Sequence, residues 1–313
     1  MKFIPIDTSR IKTYSLKDRK SKVDSALSGR PFVPGGSFAD FLSGLPGILA
    51  ADSFRAVVKA IADAKRSGRP VILGMGAHVI KVGLTPVIVD LMERGIISAI
   101  AMNGAGIVHD FELAYQGRTS EDVDAEIGEG TFGMAEETGR MVNEAIISGV
   151  KQGIGIGAAI GKAVADGNYA YRDRSLLYHA HKLNVQATVH VAIGTDIVHM
   201  HPAADGAAIG EGSMTDFKLF CAAVSEMEGG VYINLGSAVL LPEVFLKAVT
   251  LARNLGSPLR RITTVNMDFV QGYRPNTNVV RRPTMKGGKG YSLTGHHEIM
   301  LPLLAAAVLE ELS

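Results

Sequence analysis

Nine histidines punctuate the chain. Several stand in loops or at the ends of apolar runs. His78 follows Gly74-Met75-Gly76, and His109-Asp110 follows Asn103-Gly104-Ala105-Gly106. His199 and His201 flank Met200, and His296-His297-Glu298 follow Thr294-Gly295. Imidazoles beside carboxylates suit acid–base work, or ligation of Zn or Fe. Their spacing matches no standard ligand motif. His-Met-His on a strand would put both rings on one face. A second cluster, residues 281–290, reads Arg-Arg-Pro-Thr-Met-Lys-Gly-Gly-Lys-Gly. Arg281, Arg282 and Lys286 over exposed amides suit a phosphate or carboxylate, and a solvated loop explains them equally. Residues 211–216, Glu-Gly-Ser-Met-Thr-Asp, read as the start of a helix capped by Ser213 or Thr215. Asp216 would then sit at the positive end of its dipole.

These groups need elements to hold them. Residues 74–112 read as strand end, glycine loop, helix, strand and second glycine loop. Thr85 suits the N-cap of the helix, with Pro86 at its first position and Gly95 just past its end. Residues 98–102 form the second strand. Ligands of parallel sheets bind outside the carboxyl ends of strands, so residues 74–112 are where the site is expected. Gly155, Gly157 and Gly161 resemble a dinucleotide fingerprint, but a helix precedes them where that fingerprint needs a strand. Tight helix packing is the competing reading.

The α/β rhythm runs on. Phe54, Val57, Val58, Ile61 and Lys65 give a helical stripe. Further helices are expected over residues 134–148, 172–182, 216–227, 242–254 and 298–312. Strands are expected over 185–193, 231–235 and 261–266. Alternation of this kind predicts an α/β, Rossmann-type, mainly parallel sheet with helices on both faces. Residues 1–35 read as an N-terminal arm, and residues 36–313 as one domain.

Composition narrows the partners. The chain has 313 residues, is 47% hydrophobic and carries 32 basic against 31 acidic residues. That balance argues against nucleic acid. The charged N-terminus has no apolar signal core, and no apolar run is long enough to span a membrane. A lone cysteine, Cys221, excludes an internal disulfide. Together these features lead us to expect a cytoplasmic protein that handles a small molecule. Cys221, in an apolar helical stretch, reads as a buried inert thiol.

In order along the chain, short segments converge on one family. Met75-Gly76-Ala77-His78-Val79-Ile80 with Gly83 stands in the place of a Tyr-Thr-Ser-Asn-Leu-Ile segment. Asn103-Gly104-Ala105-Gly106 stands in that of Thr-Ala-Gly-Gly. Residues 211–216 resemble Asp-Gly-Ser-Leu-Gly-Asp, residues 233–236 Ile-Ile-Leu-Gly, and Leu301-Pro302-Leu303-Leu304 Phe-Pro-Leu-Leu. Over roughly residues 40–312 the chain thus resembles the deoxyhypusine synthase family. The resemblance implies a Rossmann-like domain with NAD at the strand ends, in a homotetramer with paired active sites. It implies Glu211 as an acidic NAD contact, His296 and His297 in place of an Asp-Ala pair near the cofactor, and Asp216 as a polyamine-side carboxylate. The departures are chemical. The family's Trp-Gly-Lys segment is missing, and Lys286 and Lys289 lie just downstream of its place. A Glu-Glu pair becomes Val108-His109. A cationic amine needs carboxylates to replace its water shell, so a neutral or anionic substrate fits better than spermidine. The expected activity is NAD-dependent, with His109 or His296 moving a proton and Arg281, Arg282 or Lys286 holding an anion. The alternatives are a metal-assisted hydrolase or isomerase, a ligand-binding protein without turnover, and a polyamine aminobutyl transferase using a displaced lysine.

Overall fold

Six short runs of five or six residues form the strands in a computed structural model that describes residues 1–313. They are β1 (Val71–Met75), β2 (Ala99–Asn103), β3 (Gln186–His190), β4 (Val231–Leu235), β5 (Thr263–Asp268) and β6 (Lys289–Thr294). All neighbours pair in parallel, in the order β3-β2-β1-β4-β5-β6. This is the doubly wound order, and it reverses between β1 and β4.

Both faces of the sheet are covered, and the sequence of the inner strands says why. In β1 and β4 all five residues are buried, the near-continuous apolar pattern that parallel strands need. Ile72, Ala99, Ala101 and Tyr232 point to one face. There they meet Phe220, Cys221 and Val224 of the Gly206–Ser225 helix and Leu241, Phe245 and Ala248 of the Leu240–Asn254 helix. The alternate residues Leu73, Ile100, Ile233 and Val265 are buried on the opposite face. β6, at the edge, is mostly exposed. Burial pushes the Cys221 thiol up to about 11, so this group is inert at neutral pH.

Tyr232 stacks on Phe245 with ring centroids 3.7 Å apart. Its ring runs under Gly74, where a Cβ would lie 2.2 Å from the Tyr232 hydroxyl. That hydroxyl is buried and has no hydrogen-bond partner. An unsatisfied buried hydroxyl costs about 1–3 kcal/mol. We therefore expect Tyr232→Phe to be neutral or to stabilise by about 1 kcal/mol, read by urea denaturation. A loss above about 1 kcal/mol would mean that the hydroxyl has a partner after all.

Several local expectations change. The helix holding residues 211–216 starts earlier, at Gly206, because Asp205 accepts hydrogen bonds from the Ala207 and Ala208 amides and caps it. Ser213 and Thr215 are therefore inside the helix and cap nothing. Residues 172–182 split at Ser175, whose side chain caps the Leu176–Lys182 helix. His199 ends a short 3-10 turn, Ile197–Met200, rather than a strand. The Gly104–Gln116 helix begins directly at the second glycine loop. Gly157 and Gly161 serve helix packing, since a Cβ at either would lie within 2.5 Å of a carbonyl oxygen, of Ala187 and Leu177 respectively.

The chain divides into two compact units, Met1–Asp52 and Ser53–Ser313. The first contains two 3-10 turns and one helix, Phe38–Gly44, closed by a capping box between Ser37 and Asp40. No helix of the chain is long and apolar enough to cross a membrane.

Candidate functional site

Where the strand order reverses, the ends of β1 and β4 press together. The Gly76 amide donates to the Leu235 carbonyl at 2.9 Å, and a Cβ on Gly76 would lie 2.3 Å from the Gly236 oxygen. Gly236 itself has φ +68, and a Cβ there would lie 2.5 Å from His297 Cε1. Two glycines thus let two strand ends and an imidazole share one small space.

His297 opens the last helix, His297–Leu312, just past the end of β6. It is 1% exposed, and neither ring nitrogen has a hydrogen-bond partner. Its Nε2 lies 3.5 Å from Asp268 Oδ1, at the end of β5. Asp268 also accepts from the Phe269 amide at 2.8 Å. A chain of buried amides fixes this corner. Asn234 Nδ2 donates to Asn266 Oδ1, Asn266 Nδ2 to Gln271 Oε1, and Gln271 Nε2 to the Asp268 and Leu293 carbonyls.

Aromatic rings roof His297. Its ring centroid lies 5.6 Å from those of His78 and Phe269. Phe269 stacks on His296 at 5.6 Å and 11°. His78, Phe269 and His296 are exposed. His78 and Lys81 begin and end one short helical turn after β1, so both lie on the same side of it.

His109 faces this group from the Gly104–Gln116 helix. Burial holds its imidazole below the usual value, Glu112 opposes this, and the charges of Lys81 and His78 act with burial. Thr119 Oγ1 donates to Glu112 Oε2 at 2.7 Å, so its lone pair must take the proton of His109 Nδ1, 2.6 Å away.

The end of β2 is more crowded than expected. Asn103 Oδ1 is buried without a partner. Gly104 abuts Asp196, whose Oδ2 would lie 2.0 Å from a Cβ there. Burial pushes the Asp196 carboxyl up, while His199 and the Ala105 amide pull it down. His199 Nδ1 in turn accepts from the Gly194 and Asp196 amides.

Of the residues expected from sequence, the fold brings Gly76, Ala77, His78, His109, His296 and His297 to one crevice. Asn103, Gly104 and Ala105 lie one strand away. Within this chain three other expected residues lie away from the crevice. Asp216 is fully buried, and its Oδ2 accepts from the Gly157 and Val189 amides at 3.0 and 2.8 Å. It ties a helix to β3. Glu211 is exposed on the Gly206–Ser225 helix. That helix packs on β3, which lies beyond β2, roughly 10 Å from β1. Lys286 precedes β6, whose first residue, Lys289, pairs with the first residue of β5. Within one chain it therefore sits at the amino ends of the strands, roughly 20 Å of strand from the crevice. A cavity of about 350 Å³ opens there, lined by Lys59, Arg261 and Lys289 among others.

Asp110, too, is structural. It accepts from Ser175 Oγ and the Leu176 and Leu177 amides, and burial pushes it up to about 6. His201 pairs with Glu136 at 3.1 Å. No group of three or more His, Cys, Asp or Glu side chains is arranged to hold a metal ion. Sequence reasoning missed Asp268, Asp196, Phe269 and Gly236. Asp268 stands two residues past the strand expected over 261–266, and only the pairing of β5 with β4 shows that it falls at the carboxyl edge of the sheet.

Comparison with known proteins bears on the fold. No family model and no curated protein sequence matches the chain. Among solved structures, a LOR/SDH candidate from Methanococcus maripaludis superposes with a TM-score of 0.54 at 19% identity, over 84% of this chain and 71% of that one. The ternary complex of AgrE with ornithine and NAD+ gives 0.54 at 17% identity, over 84% of this chain. This chain covers 34% of AgrE. A deoxyhypusine synthase candidate from Entamoeba histolytica, at 12% identity, covers 90% of this chain and 96% of that one. Its TM-score of 0.49 is too low to carry an argument. At these identities the likeness is one of fold: an α/β, Rossmann-like, parallel sheet.

Proposed function

We propose that the chain is an NAD-dependent enzyme that acts on a small neutral or anionic substrate in the crevice between β1 and β4. The observation that carries this reading is the reversal of strand order at two facing glycines. Doubly wound sheets bind dinucleotides at such a switch point, and Gly76 and Gly236 let the ends of β1 and β4 close up there against His297. The fold shared with AgrE, which was solved with NAD+, supports it.

The residues present fit such a cofactor unevenly. The start of the His297–Leu312 helix has no side-chain cap; the Ile299 amide bonds the His296 carbonyl, which leaves the His297 and Glu298 amides to meet a phosphate. The start of the Gly104–Gln116 helix already faces the Asp196 carboxylate, which repels a phosphate and suits a hydroxyl donor instead. Bound at this crevice, a nicotinamide would supply hydride transfer. The protein would supply charge and proton handling. Lys81, exposed at the crevice mouth, is a fixed cation that suits a carboxylate better than a polyamine.

The motif likeness to the deoxyhypusine synthase family and the homotetramer it implies belong to this proposal, and sedimentation equilibrium tests the assembly. A displaced-lysine transferase is disfavoured, because Lys286 and Lys289 lie at the opposite edge of the sheet. Isothermal titration of the purified protein with NAD+ and NADP+ tests the main reading. We expect saturable heat with NAD+ at millimolar concentration. No heat with either cofactor would overturn it.

A further inference from the structure

We propose that His297, held by Asp268, is the proton-handling residue of the crevice, and that the group it serves is the hydroxyl or amine of a small α-hydroxy or α-amino carboxylate. This rests on the dinucleotide reading and adds to it a residue role and a substrate class. The sequence resemblance places His297 beside a cofactor and assigns it no chemistry.

His297 combines burial with unmet bonding capacity. Buried polar groups are normally hydrogen-bonded. An imidazole has two nitrogens, and here both are buried and free. Asp268 Oδ1 stands 3.5 Å from Nε2, slightly beyond a hydrogen bond. A small ring shift would close that distance, and the carboxylate would then hold the proton on Nε2. The Nδ1 lone pair would remain as the acceptor. Apo geometry of this looseness is common in acid–base pairs that tighten on binding.

The surroundings fit the substrate class. The cover over His297 consists of the His78 and Phe269 rings, which are exposed, so displacing one ring gives a ligand access. Lys81 and His78 stand on one side of their helical turn and can hold a carboxylate. The other ionisable neighbours are His296 and Glu298, on the same helix end.

The step balances as follows. The substrate O–H or N–H bond breaks, and its proton forms a bond to His297 Nδ1. The carbon–oxygen or carbon–nitrogen double bond forms. The electron pair of the adjacent C–H bond leaves as hydride to the oxidised nicotinamide. Asp268 is the positioning residue and exchanges no proton with the substrate.

Histidine-selective ¹⁵N NMR of the full chain reads the tautomer directly. We expect His297 to carry its proton on Nε2 in the wild type, and the two tautomers to mix in Asp268→Asn. A panel of α-hydroxy and α-amino carboxylates with NAD+, followed by NADH absorbance, reads turnover. We expect His297→Gln to lose about 100-fold in turnover. A wild-type His297 protonated on Nδ1, or a tautomer indifferent to Asp268→Asn, overturns the proposal even if NAD+ binds. Should His297→Gln fail to fold, the Asp268→Asn tautomer still decides. If NAD+ does not bind, the dinucleotide reading fails by titration, and the hydride step with it, while the tautomer still reports the pairing.

Discussion

Gly236→Ala is expected to destabilise the protein by about 2–5 kcal/mol. Two costs add. The residue has φ +68, and an L side chain in the left-handed region costs about 1–2 kcal/mol. The new Cβ would also lie 2.5 Å from His297 Cε1, and overpacking of this kind costs about 1–3 kcal/mol. Gly83→Ala separates the two, because Gly83 has φ +80 and nothing within 4 Å of a Cβ. It should lose only the conformational part, about 1 kcal/mol. Urea denaturation of both variants measures the difference. Equal losses would mean that the His297 ring is not packed against Gly236, and the crevice as described would not exist.

Asp216→Ala should cost about 4 kcal/mol, since it strands buried backbone amides and leaves a void. Asp216→Asn should cost far less, because one side-chain oxygen can still accept from Gly157 and Val189. The pair also has a pH signature. Burial pushes Asp216 up from 3.8 to about 7. Between those values the folded protein binds more protons than the unfolded chain, so stability falls as pH rises through the window. The contribution is fully present below about pH 4 and lost above about pH 7. Asp110, pushed up to about 6, acts in the same direction. His190, which burial holds down near 4, acts in the opposite direction between about pH 4 and 6.5. The difference between wild type and Asp216→Asn removes both. That difference should shift against the wild type by about 2–4 kcal/mol from pH 4 to pH 7. A flat difference would show that Asp216 is already ionised and hydrated. In the fold the carboxylate ties the Ile156–Asp166 helix to β3 through the Gly157 and Val189 amides.

The fold was legible in sequence because its signals are local and repeated. The buried runs 71–75 and 231–235 carry strand character on both faces, and Pro86 and Gly95 bracket the helix between β1 and β2. β6 was not legible. Its sequence, Lys-Gly-Tyr-Ser-Leu-Thr, is mostly polar and exposed because it lies at the sheet edge, where only the pairing with β5 makes it a strand. The candidate site was half legible. Histidines and glycines after strand ends are visible by position, and the fold gathers His78, His109, His296 and His297. Asp268 and Gly236 were not chosen, since a lone acid after Met267 and a glycine after Leu235 acquire meaning only when β1, β4 and β5 lie side by side. Lys286 shows the converse. Its chemistry suited the expected site, yet three residues later the chain enters β6 at the edge opposite the crevice. Ser213 or Thr215 read as a cap with Asp216 as its acid, but Asp205 starts the helix earlier and turns Glu211 outward and Asp216 into the core.

The most direct test of the central claim is histidine-selective NMR of the full chain during titration with NAD+. The nine histidines are internal probes spread over the fold. The account predicts that the signals of His78, His296 and His297 move saturably, while those of His179, His181 and His190 stay in place. Unchanged signals at the crevice, or movement centred on His179 and His181 instead, would contradict it.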